Sequence, residues 1–197
     1  MIDPAKYFDP KAELYRKSFK DGLAYASYID TGSEIQQAKW KRFENIIKLS
    51  PQQDSLVTAF KRPMNVLVLS GIWCGECARQ AAMLEAIVSA APGSELRFVE
   101  NHPESDLVNE LRINGAKKVP VVVCLSEDFF EVARFGDLHL SVYRKRALSQ
   151  LGAACDAGVL PPPEDELASE LQDWIDFFER AHTILRLSPM LRSRYGD

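Results

Sequence analysis

The apolar run Val66-Leu67-Val68-Leu69 is followed five residues later by Cys74-Gly75-Glu76-Cys77, and then by a helical pattern. Four consecutive apolar residues without alternation read as a strand buried on both faces. After the cysteines, Met83, Leu84, Ile87 and Val88 recur at helical spacing until Pro92-Gly93 ends the pattern. A doubly buried strand leading through C-x-x-C into a helix requires a sheet with helices on both sides. Two cysteines at this spacing can close a disulfide, supply half of a metal site, or do neither.

The chain after the motif supports that architecture. Leu96-Arg97-Phe98-Val99 reads as a second strand, and Glu104 to Arg112 as a short helix closed by Asn114-Gly115. Val119 to Leu125 is a third strand with Pro120 at its start, where proline is tolerated. Ser126-Glu127-Asp128 turns the chain into a fourth strand, Phe130 to Phe135, and Ser141 to Leu151 forms a helix. The order β-α-β-α-β-β-α predicts an α/β fold, a central mixed sheet of about four strands with helices on both faces.

Both flanks are helical. Ala12, Tyr15, Phe19, Leu23 and Ala26 make one stripe of a helix over 11–29. Ser33-Glu34-Ile35-Gln36 reads as a capping box opening a helix that carries Trp40, Phe43 and Ile47 on one face. Ser50-Pro51-Gln52-Gln53 opens a third, short helix. At the other end, Pro161-Pro162-Pro163 is a stiff spacer before an amphipathic helix with Leu167, Leu171, Trp174, Ile175, Phe178 and Leu185 on its apolar face. The tail after Ser188 is expected to fray. These boundaries divide the chain into a helical N-terminal extension packed on the domain (1–50), a central domain (51–152), and a linker with a C-terminal helix (153–197).

A net charge of −4 gives no general attraction to nucleic acid or an acidic membrane. The local basic spots, Lys117-Lys118 and Arg144-Lys145-Arg146, read as solvated surface. Met1 to Lys6 lacks the apolar segment of a secretory leader, and no window approaches the ~18 apolar residues of a membrane span. The expected location is the cytoplasm, where C-x-x-C is redox-active or metal-binding rather than structural. Zinc needs two more ligands. Cys124 and Cys155 form no second pair, and His102 and His139 lie far off in sequence. No metal and no bound cofactor are expected, nor is there a glycine-rich phosphate loop. Cys124, in an apolar strand, reads as a small buried hydrophobe, and His102, His139 and His182 as surface or packing residues.

At the start of a helix, C-x-x-C aims backbone N–H groups and the helix dipole at the first sulfur and favours its thiolate. Cys74 would attack a substrate disulfide, and Cys77, one turn inside, would resolve the mixed disulfide. Trp73 offers a flat apolar surface and Gly75 lets a substrate backbone approach.

Trp73-Cys74-Gly75-Glu76-Cys77 after a buried strand, with Val119-Pro120 at a strand start 43 residues beyond Cys77, resembles the thioredoxins over about residues 51 to 152. The resemblance implies a thioredoxin-like fold, with Pro120 in the cis-proline position and Val119 beside Cys74, pairing with an extended substrate peptide. It implies a protein-disulfide reductase, an electron carrier with Cys74 and Cys77 as catalytic thiols and Trp73, Gly75, Glu76, Val119 and Pro120 at the substrate. Its partners would be disulfide-containing proteins and an electron-donating reductase or small thiol. A second reading is a thioredoxin-like interaction or redox-sensing protein whose helical flanks bind a partner.

The chain also departs from that family. The family's buried acid and its lysine partner are matched by Val68 and Leu96, and the proline of its active-site helix by Ala82. Glu100 is a nearby carboxylate that the sequence does not place near Cys77. Glu76 either opposes the neighbouring thiolate or is an ordinary first-turn acid. The expectation is a Cys74 pKa nearer ~7 than that of a strong oxidant, and a reductant's potential. The N-terminal helices either cover the sheet edge where a first strand would lie, or narrow the substrate groove or mediate dimerisation.

Overall fold

A computed structural model describes residues 7–151 and 165–196. Cys155 and the triple proline lie outside the described residues. Strands β1 (Asn65–Ser70), β2 (Glu95–Glu100), β3 (Val121–Leu125) and β4 (Glu131–Gly136) form one sheet in the order β2-β1-β3-β4. β1 runs parallel to β2 and antiparallel to β3, which is antiparallel to β4. The sheet is mixed, as expected, although β3 begins at Val121 rather than Val119.

The apolar run works as its composition predicts. Alternate side chains of a strand point to opposite faces. Val66 and Val68 join one core cluster, and Leu67 and Leu69 the other. The helix after the cysteines, α5 (Gly75–Ala90), packs in the Val68 cluster, while Tyr15 and Phe19 of α1 (Ala12–Asp21) and Leu107 and Val108 of α6 (Asp106–Glu110) fill the Leu67 side. The C-terminal helix α8 (Glu166–Leu187) lays Trp174, Ile175 and Phe178 into the α5 cluster, and Trp174 meets Phe135 of β4 at a ring distance of 4.7 Å.

The helical flanks need two corrections. The helix expected over 11–29 is interrupted. α1 stops at Asp21, and Leu23 exchanges two backbone hydrogen bonds with Phe98 (2.9 and 2.8 Å) before α2 (Tyr25–Ile29) begins. The outer edge of β2 has unpaired backbone groups, and one extended residue satisfies two of them. Helical periodicity does not reveal this interruption, because Leu23 and Ala26 fit the stripe. The tail after Ser188 does not fray: Ser188 caps a further helix, α9 (Pro189–Tyr195), which buries Met190 and Leu191. Both capping boxes form, opening α3 (Glu34–Ile46) and α4 (Pro51–Thr58). A helix of the 141–151 stretch, α7 (Leu140–Leu151), packs beside α8.

Candidate active site

Cys74 is the N-cap of α5. Its sulfur occupies the place of a capping oxygen and accepts a hydrogen bond from the Cys77 N–H at 3.4 Å. The loop before it is folded back, with Cys74 N–H donating to Gly71 C=O at 2.9 Å. The Cys77 thiol donates to the Cys74 sulfur, the Cys77 and Glu76 amides add to this, and together they overcome the cost of partial burial. The Cys74 pKa falls to about 6, nearer the expected region than the very low value of a strong oxidant. Cys77 is buried, and desolvation together with the neighbouring Cys74 pushes its thiol far above the ordinary range. Three residues apart, one sulfur is a thiolate at neutral pH and the other holds its proton.

Side chains from outside the motif hold the approach to Cys74. Trp40 of α3 donates its indole N–H to Ile72 C=O at 3.0 Å. Glu100, at the end of β2, accepts from Ile72 N–H at 3.1 Å, and the buried Tyr28 phenol donates to the same oxygen. Both backbone polar groups of Ile72 are therefore engaged by residues distant in sequence. Gly32 completes the grip, since a Cβ there would stand 2.9 Å from Ile72 Cγ1. Trp73 is 59% exposed, and its indole lies over Gly71, where a Cβ would come within 2.8 Å of the ring.

Glu100 thus reaches the neighbourhood of Cys77 indirectly. The Ser70 hydroxyl, fully buried, faces both the Cys77 sulfur and the Tyr28 phenol and favours each anion, although it has no aligned hydrogen bond. Tyr28 then leads to Glu100, which lines an open cavity of roughly 530 Å³. Val68 and Leu96 are both buried in the apolar cluster that contains Cys77. The chain has no acid at that place.

The Val119–Pro120 peptide is cis. Val121 pairs with Leu69 in the antiparallel register, so Pro120 lies at the end of the sheet from which Ser70 leads to Cys74. Gly136 fits beside it, because a Cβ there would meet the Pro120 carbonyl oxygen at 2.8 Å. Lys118 pairs with Asp137 at 3.3 Å, and Tyr143 donates to that carboxylate.

Glu76 is not free to oppose Cys74 alone, because its carboxylate pairs with Arg79 at 2.7 Å. Arg79 also contacts Glu170 of α8 at 3.2 Å, and Glu170, fully buried, accepts from the Ser141 hydroxyl at 3.0 Å. Burial raises the Glu170 pKa, against the pull of Arg79 and Ser141. Beside this network His139 is buried, its Nδ1 3.2 Å from Asp173, and desolvation lowers its pKa.

The residues singled out in sequence divide in two. Trp73, Cys74, Gly75, Glu76 and Cys77 are contiguous by necessity, and the sheet register brings Val119 and Pro120 to the same end. Tyr28, Lys39, Trp40, Ser70, Gly71, Arg79 and Glu170 surround them without having been singled out. An aromatic on an amphipathic stripe looks the same whether it only packs or also donates to a loop, so Tyr28 and Trp40 had no local signal. Cys124 is fully buried, and burial raises its thiol pKa. His182 stacks on Phe60 at 4.4 Å, a packing role. Among the described residues no group of His, Cys, Asp or Glu is arranged to hold a metal, and no helix is long and apolar enough to cross a membrane.

A family model described as thioredoxin matches residues 22–142. That match begins in the link between α1 and α2 and so takes in the helices that grip Ile72. Among solved structures, a protein of unknown function from Pseudomonas aeruginosa is similar with a TM-score of 0.67 at 22% identity, covering 85% of this chain and 98% of that one. An HIV epitope-scaffold protein is similar with a TM-score of 0.58 at 20% identity, covering 87% of this chain and 94% of that one. At these identities the likeness speaks to fold alone. No curated protein matches the chain.

Proposed function

The chain belongs to the thioredoxin family, and we propose that it is a thiol–disulfide oxidoreductase that reduces protein disulfides by cycling Cys74 and Cys77 between dithiol and disulfide. The observation that carries this reading is Cys74 as the N-cap of α5, its sulfur held by amides and by the Cys77 thiol, at the sheet end that also carries cis-Pro120.

The Cys74 thiolate attacks one sulfur of the substrate disulfide. The other sulfur leaves as a thiolate and takes up a proton. A mixed disulfide joins Cys74 to the substrate, and the Cys77 thiol no longer has a thiolate as its hydrogen-bond acceptor. Its proton passes toward the Ser70 hydroxyl and the Tyr28–Glu100 pair, the polar groups around it, and from Glu100 to solvent through the adjoining cavity. The Cys77 thiolate then attacks the Cys74 sulfur, closing the Cys74–Cys77 disulfide and releasing the second substrate thiol. Two electrons have moved to the substrate, and a reductase or small thiol must restore the dithiol. Trp73, Gly75 and Val119 would line the peptide's path. The cycle suits a reducing compartment such as the cytoplasm.

Insulin reduction driven by dithiothreitol tests the reading. The wild type should accelerate it, and Cys74→Ser and Cys77→Ser should each abolish the acceleration. Cys77→Ser should in addition retain substrates as mixed disulfides identifiable by mass spectrometry. A wild type no faster than dithiothreitol alone sinks the proposal.

A further inference from the structure

Lys39 belongs to α3, in the helical flank rather than the thiol motif, yet its side chain lies over Gly75. A Cβ on Gly75 would stand 3.0 Å from Lys39 Nζ and 3.2 Å from its Cε. Gly75 is the residue next to Cys74 and the first residue of α5. Among the described residues Lys39 has no hydrogen bond and no carboxylate partner. The other charges near the dithiol are committed: Glu76 to Arg79, Arg79 also to the buried Glu170, and Lys118 to Asp137. Among the described residues one uncommitted cation therefore stands over Gly75, the residue that follows the nucleophile. One helical turn earlier on the same face of α3, Ile35 is 84% exposed.

We propose that Lys39 determines specificity at the dithiol by selecting disulfides that carry a carboxylate close to the sulfur under attack. This rests on the reading of Cys74 and Cys77 as a reducing dithiol. Such a substrate brings its anion to the ammonium as the Cys74 thiolate reaches the disulfide. The ammonium also offsets the repulsion between that thiolate and an incoming anion, which a neutral disulfide never meets. The exchange keeps its balance. Cys74 bonds to one substrate sulfur as the S–S bond breaks, and the carboxylate-bearing thiolate departs and is protonated. Cys77 then displaces the remaining thiol, and two electrons pass from the dithiol to the substrate. The N-terminal helices thereby shape the substrate as well as hold the loop.

Three small disulfides of similar reach test this: 3,3′-dithiodipropionate (anionic), 2-hydroxyethyl disulfide (neutral) and cystamine (cationic). Each rate is taken as kcat/KM relative to the uncatalysed rate with dithiothreitol. The wild type should favour the anion over the cation. Lys39→Gln should lower the anion's value about two- to fivefold and leave the neutral probe within about 1.5-fold, the size of effect an exposed ion pair supports. Lys39→Glu should reverse the order of anion and cation. Raising salt to about 0.5 M should remove most of the wild-type preference by screening. Equal losses on all three probes would mean that Lys39 acts on Cys74 rather than on substrate, and this overturns the inference, as does no change on any. A wild type that reduces insulin but none of these probes overturns the Lys39 inference alone, whereas one that reduces neither insulin nor any probe ends the dithiol reading and this one with it. Reduction of all three without charge preference defeats the Lys39 inference alone.

Discussion

The two helical flanks meet the active-site region in different ways. On the N-terminal side, α2 and α3 touch backbone: Trp40 and the Tyr28–Glu100 pair take both polar groups of Ile72, two residues before Cys74. On the C-terminal side, α8 reaches Arg79, one turn inside α5, through Glu170, and packs Trp174 and Phe177 on Phe135 of β4. The first contact sets where the nucleophile's loop lies, and the second sets how firmly its helix is packed. Changes on the α8 side should therefore appear mainly in stability, and changes on the α2–α3 side in reactivity.

The largest effect expected is on the α8 side. Trp174 is fully buried, and Trp174→Ala should cost about 3–5 kcal/mol in urea unfolding while the Cys74 thiolate still titrates near its wild-type pH. A large pKa shift in that variant would break the distinction. Arg79→Leu should cost about 3 kcal/mol, because it leaves the buried Glu170 carboxylate without its cation. Paired replacement of Arg79 and Glu170 by apolar residues should recover much of that loss, as a double-mutant cycle would measure.

On the α2–α3 side the stability changes are smaller and the reactivity changes more telling. Trp40→Phe keeps the ring and removes the donor to Ile72, which should cost about 1–2 kcal/mol and shift the rate of Cys74 alkylation. Tyr28→Phe should have a similar cost and should slow the resolving step more than the attacking one, seen as a longer-lived mixed disulfide. Unchanged alkylation and resolution in both variants would show the contacts with Ile72 to be packing only.

The last effect is a slope with pH rather than a single loss. The Cys74 pKa is about 6 in the folded protein against an ordinary 9.0, so between these values the unfolded chain binds more protons and stability rises with pH. The reduced protein should lose this contribution as pH falls from about 9 toward 6. Cys77, shifted the other way, opposes it only above about pH 9. Urea unfolding of reduced and oxidised protein across this range checks the sign, since the disulfide form has no thiolate to titrate and should lack the slope.

Much of this was legible in the chain. Val66 to Leu69 could be read as a doubly buried strand because each of its four side chains is apolar, and each does enter one of two clusters. Ser33 and Ser50 announced their helices because a capping box is local chemistry. The break at Leu23 was not legible, because the reason for it lies in the unpaired edge of β2, about 75 residues away. Glu76 was ambiguous for a related reason. Its effect on a thiolate depends on whether a cation neutralises it, and the geometry of α5 supplies Arg79 one turn later.

The sequence by itself determined the strand-to-helix unit, the position of the two thiols at the helix mouth, and the apolar strand that follows Pro120. These follow from the apolar pattern and from interactions within a turn or two of chain. Only the tertiary structure decided what stands around the thiols. Tyr28, Lys39 and Trp40 come from one flank, Glu170 from the other, Glu100 from the end of β2 and Pro120 from the turn before β3. A hydrogen bond or ion pair constrains atoms in space and leaves no period in the sequence, so the thiols could be found by reading the chain and their environment only by folding it.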